Sequence, residues 1–162
     1  MAVEIERKFL VVGAQWRATP GVVYRQGYLC REPNRTVRVR IAGDKSYLAV
    51  KGESTGMSRL ECEYEIPRDD AERLLELCDR PLIEKLRRVV DYAGTRWEID
   101  EFLGDNAGLV VAEVELDRED QAFALPPWIG NEVTGDPRYI NANLTANPFS
   151  LWRDREASQP RA

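Results

Sequence analysis

Residues 3–12 read VEIERKFLVV, and the face formed by Glu4, Glu6 and Lys8 governs how the rest of the chain is read. These three stand two apart, with Ile5, Arg7 and Phe9 between them. Successive side chains of a strand point to opposite faces, so one face here carries two acids and a base. Such a strand is either a solvated edge or one wall of a polar site.

The same alternation recurs. Period-2 patterns predict strands near 3–12, 22–31, 36–42, 46–53, 58–67, 82–93, 95–103 and 108–117. Turn signals separate several of them: Glu32-Pro33-Asn34, Gly43-Asp44, Ser54-Thr55-Gly56, Gly94 and Gly104-Asp105-Asn106. Residues 67–81 break the pattern. Asp69 or Asp70 can cap a helix there, Leu74, Leu75 and Cys78 form its apolar stripe, and Pro81 ends it. Short helices are expected near 118–124 and 139–146, with a Pro/Gly-rich connection over 125–137. The expected class is α+β, mainly antiparallel β. Eight short strands can close into a barrel, and an open sheet or a sandwich also satisfies the pattern.

The 162 residues suit one domain, expected over 1–150 with a polar tail at 151–162 that begins near Trp152. A net charge of −5 argues against a general nucleic-acid binder. Cys30, Cys62 and Cys78 are odd in number and widely spaced, which predicts reduced thiols and a cytoplasmic protein. Nothing resembles a signal peptide, and no stretch approaches the ~18 apolar residues of a membrane span. Histidine is absent. Chemistry must therefore come from carboxylates, Lys, Arg, Tyr or a hard metal ion.

Strand parity then assembles a constellation. Arg38 and Arg40 share a face, as do Arg59, Glu61 and Glu63, and Lys85 and Arg87; Glu98 and Asp100 share another, as do Glu113 and Glu115. Lys51 lies opposite Leu48 and Val50. One alternating strand is ordinarily a solvated face, but here the pattern spans seven of eight strands. Cations gather on the third, fourth and sixth strands, and acids on the first, seventh and eighth. Like-charged blocks repel unless something lies between them: an anion for the basic block, a divalent cation for the acidic one. Turned inward, eight acids face seven bases, a near-balance that burial of charge requires.

The ordered set ExExK (Glu4, Glu6, Lys8), RxR (Arg38, Arg40), Lys51, RxExE (Arg59, Glu61, Glu63), KxR (Lys85, Arg87), Asp100 and ExE (Glu113, Glu115) resembles the CYTH, or triphosphate tunnel metalloenzyme, superfamily. The resemblance covers residues 3 to about 146. It implies a closed eight-stranded antiparallel β-barrel tunnel with a polar interior and a few flanking helices. The implied activity is metal-dependent hydrolysis of a small triphosphate, with inorganic triphosphate favoured for the short bacterial forms and Mg²⁺ or Mn²⁺ as cofactor. A class IV-type adenylyl cyclase, a thiamine or nucleoside triphosphatase and a non-catalytic polyphosphate or nucleotide sensor are the alternatives.

By that resemblance Glu4, Glu6 and Glu115 are direct metal ligands, with Glu113, Asp100, Glu61 and Glu63 nearby, on a second ion or on water. Arg38, Arg40, Lys51, Arg59, Lys85 and Arg87 would hold phosphoryl oxygens, Arg through bidentate forks and Lys as a point charge. Lys8, Tyr28 and Lys85 are the catalytic candidates. Crowding by other cations is expected to lower the pKa of Lys8, letting it orient or deprotonate water with Tyr28 as its partner. Tyr28 reads equally as an interior tyrosine whose hydroxyl is merely satisfied. The segment PPWIGNEVTGDPRYINANL is expected to close one tunnel mouth. The four tryptophans read as packing, and Gly27 and Gly130 as backbone devices. The outward apolar faces need cover that few helices can provide, which predicts a homodimer.

Overall fold

In the computed structural model, which describes residues 3–153, the alternating segments form nine antiparallel strands. β1 is Val3–Val11; β2 (Val22–Glu32), β3 (Arg35–Ala42), β4 (Lys45–Thr55) and β5 (Ser58–Glu65) form a meander. β6 (Ile83–Tyr92), β7 (Thr95–Phe102) and β8 (Val110–Glu115) form a second meander, and β6 joins the first by pairing with β2. The β6–β7 hairpin turns through Ala93 and Gly94, both at positive φ (48° and 80°), the pairing a two-residue hairpin loop requires.

β1 closes the ring. Glu6 through Leu10 pair with Glu115 through Val111 of β8, while Val3, Glu4 and Ile5 pair with Leu60, Arg59 and Ser58 of β5. Eight strands thus run around a tunnel in the order β5-β4-β3-β2-β6-β7-β8-β1. A ninth strand, β9 (Ile129–Glu132), adds to β1 at Phe9 and Val11, within a segment expected to be only a connection.

With charges turned inward, the apolar side chains face out and must be covered. Helix α1 (Arg68–Glu76) covers β2, β3 and β4 by packing Ala71 and Leu75, with Cys78 beyond its end, on Val39 and Ile41. Pro67 stands at its N-cap without a side-chain bond, and Asp69 and Asp70 lie in the first turn, where they favour the positive helix end. Gly27 permits this approach: a Cβ there would lie 2.7 Å from both Cys78 Cβ and Leu82 Cδ2.

Trp16, Phe123 and Trp128 cover the opposite wall around Phe9 and Trp97, whose ring stands edge-on to Phe123 and Trp128 at 5.7 Å. The helix expected over 118–124 does not form. Residues 117–121 (DREDQ) are all polar and offer no apolar stripe, so the segment runs through turns and inserts only Phe123.

The third cover seals one end of the tunnel. A 3₁₀ turn (Pro137–Tyr139), helix α2 (Asn141–Ala146) and a further turn (Phe149–Leu151) pack Tyr139, Leu144 and Phe149 against Tyr28, Ile83 and Phe102. Trp152, expected to begin the polar tail, is instead buried against Tyr139 and Phe149, with ring centroids 5.2 and 4.9 Å apart. The expected tail beyond residue 153 lies outside the described residues. All four tryptophans are buried, as packing residues are.

Candidate functional site

The inward faces enclose a cavity of about 810 Å³, closed at the α2 end by residues 133–142. Parity placed its walls correctly: Glu4, Glu6 and Lys8 of β1, Arg38 and Arg40 of β3, Lys51 of β4, and Arg59, Glu61 and Glu63 of β5 all line it. So do Lys85 and Arg87 of β6, Glu98 of β7, and Glu113 and Glu115 of β8.

The basic wall is built from buried, bonded cations. Arg87 reaches both oxygens of Asp100 (Nε to Oδ1 2.7 Å, Nη2 to Oδ2 2.9 Å) and Glu98 at 2.8 Å. Lys85 donates to Asp100 Oδ2 at 2.7 Å and to Asn141 Oδ1 at 2.9 Å. Burial, then Arg87 and Arg40, push the Lys85 ammonium down to about 7 against the pull of Asp100. Arg38 donates to Glu63 at 2.8 Å, and its Nε is buried without a partner among the described residues. Such an orphan donor in a cavity wall suits an incoming acceptor. Arg59 is held by the Gly52 carbonyl (2.8 Å) and Thr36 Oγ1 (3.3 Å).

The acidic wall sets carboxylates against each other. Strand register puts Glu6 directly across from Glu115, and Glu98 directly across from Glu113. Like charges so placed repel. Burial, then neighbouring Glu4, raise the Glu6 carboxyl above its ordinary range; burial, then Glu98 and Glu6, do the same for Glu115. Glu4 Oε2 is buried without a hydrogen bond: Lys51 Nζ lies 3.0 Å away, but its hydrogen bond goes to Oε1 at 3.3 Å. Crowded, under-bonded carboxylate oxygens fit a hard divalent cation, which prefers oxygen ligands and keeps several waters. Among the described residues, no three acidic or sulfur side chains converge as a finished ligand cage, so water or substrate oxygens would complete the coordination.

The geometry bears on several expected roles. Lys8 does not lose basicity. Burial lowers its pKa, but Glu113 (3.6 Å), then Glu6 and Asp100, more than offset this, and the net shift is upward. Its near neighbours are acids, not the basic wall, and its Nζ also donates to the Tyr139 carbonyl at 3.2 Å. Tyr28 lines the cavity near Lys8, and its hydroxyl accepts from Gln26 Nε2 at 3.2 Å. Asp100 does not line the cavity; it lies 1% exposed beneath Lys85 and Arg87, with both oxygens taken. Although burial raises it, Arg87 and Lys85 hold its carboxyl well below the usual carboxylate range. Glu61 and Glu63 stand on the basic side, paired with Lys51 (3.4 Å) and Arg38.

Three residues were missed. Tyr24 lines the cavity, Gln26 is fully buried between Arg40 and Asn141, and Asn141 ties α2 to Lys85. Parity could have found the first two, since positions 24, 26 and 28 share the inward face of β2. Asn141 reaches the cavity from a helix over 50 positions away from Lys85, and no local pattern marks it.

Comparison with known proteins gives a consistent picture. A model of the CYTH domain matches residues 2–145. An inorganic triphosphatase of Acetivibrio thermocellus is 54% identical over 156 residues, covering 95% of this chain and 100% of that protein. An inorganic triphosphatase of Nitrosomonas europaea is 39% identical over 147 residues, covering 87% of this chain and 95% of that one. The crystal structure of the inorganic triphosphatase NE1496 superposes with a TM-score of 0.65 at 37% identity, over 90% of this chain and 95% of that one.

Proposed function

The chain belongs to the CYTH domain family, and from that premise we propose that it is a metal-dependent hydrolase cleaving inorganic triphosphate to pyrophosphate and phosphate. The observation that carries this reading is the division of one buried cavity into a basic wall and a wall of mutually repelling carboxylates. A linear triphosphate has the charge to fill the first, and a divalent cation bound to it the charge to relieve the second.

Glu4, Glu6 and Glu115 would hold Mg²⁺ or Mn²⁺, with Glu113 and Glu98 close by on the same wall. When bound, the ion supplies charge neutralisation and a polarised water. Arg38, Arg40 and Arg87 hold phosphoryl oxygens by paired N–H donors, and Lys51, Lys85 and Arg59 add positive charge. Lys85 has two of its three protons committed to Asp100 and Asn141, and the third is left for the substrate. Water oriented by the cavity carboxylates attacks a terminal phosphorus. The new P–O bond forms as the bridging P–O bond breaks, pyrophosphate leaves, and a carboxylate takes the water's proton. Lys8, charged and held by Glu113 and Tyr139, acts here as a fixed cation rather than a base.

The outer wall supports a homodimer: Val3, Val50, Leu60 and Tyr64 project from neighbouring positions of β1, β4 and β5, and neither α1 nor the aromatic cover reaches them. Unpaired Cys30, Cys62 and Cys78 fit a reducing, cytoplasmic compartment. Among the described residues, no helix is long and apolar enough to cross a membrane.

The deciding experiment measures phosphate release from tripolyphosphate, ATP and thiamine triphosphate with Mg²⁺ or Mn²⁺, alongside cyclic AMP formation. Release from tripolyphosphate well above the others is expected. Preferential cyclic AMP formation or thiamine triphosphate turnover would move the assignment within the family. Tight tripolyphosphate binding without turnover of any substrate would make the protein a sensor.

A further inference from the structure

Arg40 stands apart among the cavity cations. Lys8, Arg38, Lys51, Lys85 and Arg87 each have a carboxylate within 4.0 Å. Arg40 has none among the described residues; its Nε donates to the neutral Gln26 Oε1 at 2.8 Å, and its guanidinium carbon stands 5.0 Å from the centre of the Tyr24 ring. Arg59 also lacks an acid among the described residues, but a backbone carbonyl and a threonine hold it at the wall. The groups holding Arg40 are themselves fixed. Gln26 is fully buried and spends its amide donors on Tyr28 (3.2 Å) and Asn141 (3.3 Å). Tyr24 carries a second guanidinium, Arg87, at 4.8 Å. A tyrosine ring attracts a cation without neutralising it, and so does an amide oxygen.

We propose that Gln26 and Tyr24 are positioning residues that hold Arg40 through uncharged contacts, one in its plane and one on its face, so that its positive charge is left for the phosphoryl oxygens of the substrate. The proposal rests on the reading of this cavity as a triphosphate site. A carboxylate partner would hold Arg40 as firmly, but the substrate would then have to compete with it. Burial, then Arg38 and Arg87, already push the Arg40 guanidinium below its ordinary range, as expected of a cation whose compensation comes from outside.

The decisive variant is Gln26→Glu, which keeps an acceptor oxygen beside Arg40 Nε but supplies the missing negative charge. For tripolyphosphate hydrolysis, KM is expected to rise about tenfold or more with a smaller change in kcat, and calorimetric affinity for tripolyphosphate to fall in parallel. If this buried change prevents folding, Tyr24→Leu is expected to raise KM about tenfold, with Tyr24→Phe recovering most of the loss because the ring and not the hydroxyl holds the guanidiniums. A folded Gln26→Glu protein with unchanged KM would overturn the proposal, as would a Tyr24→Phe protein as impaired as Tyr24→Leu. Wild-type protein that neither binds nor turns over tripolyphosphate would overturn the site reading itself. Insensitive variants of an active wild type would remove this inference alone.

Discussion

Asp100 accepts hydrogen bonds from two buried cations at once, and its replacement leaves Lys85 without a carboxylate partner and Arg87 with Glu98 alone. Asp100→Asn is expected to cost about 3–5 kcal/mol in urea unfolding, because an uncompensated buried charge is more costly than a lost hydrogen bond. Lys85 makes the complementary case. Its native pKa of about 7 lies below the ordinary lysine value of 10.5, so between these limits the unfolded chain binds the extra proton. Stability from this group therefore rises with pH across that window, by up to about 1.4 kcal/mol per pH unit. Lys85→Met is expected to flatten the slope measured by urea unfolding between pH 7 and 9.5. For turnover, Lys85→Ala and Glu115→Ala should each remove activity by more than about a hundredfold while circular dichroism shows a folded protein; near-normal rates in either would sink the site assignment. Which way each charged side chain points was legible in the sequence because a strand fixes it by parity. The partner each one chose was not. Lys8 turned to acids and Asp100 sank beneath the wall, both decided by neighbouring strands whose register no single stretch encodes.

The elements were legible where a period was strong. All eight expected strands form, and the helix after β5 forms over Arg68–Glu76, stopping short of Cys78 and of the expected end at Pro81. The departures have physical causes: DREDQ has no apolar face to dock, and β9 is only four residues long and pairs with β1 at Phe9 and Val11 alone, too short for a period to show. Cover for the outer wall falls heavily on α1. Leu75→Ala removes a side chain only 2% exposed and is expected to cost about 2–5 kcal/mol. Gly27→Val acts from the other side of that contact: its side chain would meet Cys78 and Leu82 at 2.7 Å or closer, and overpacking of this kind costs about 1–3 kcal/mol. Both are read from denaturant midpoints at constant slope.

For the whole molecule, barrel closure was one of three solutions open to the alternating pattern, and the residues that decide it are few. Val3, Glu4 and Ile5 pair with β5 while Glu6 onward pair with β8, so one strand supplies both sides of the seam. The bare wall at Val3, Val50, Leu60 and Tyr64 predicts a dimer by light scattering at micromolar concentration, and Tyr64→Glu should shift it towards monomer. A monomeric wild type at that concentration would leave the wall as plain surface.

The position of β1 in the chain also bears on how the protein is made. Its partners lie at Leu60, Val111–Glu115 and Ile129–Glu132, so most of them emerge from the ribosome at least a hundred residues after it. At ordinary elongation rates that delay is on the order of ten seconds. β5 is made earlier and can take Val3–Ile5, but from Glu6 onward the strand waits for β8 and β9. A strand carrying such charges is a poor template for pairing with another chain, so Glu4, Glu6 and Lys8 suit it to the interval before β8 and β9 are made.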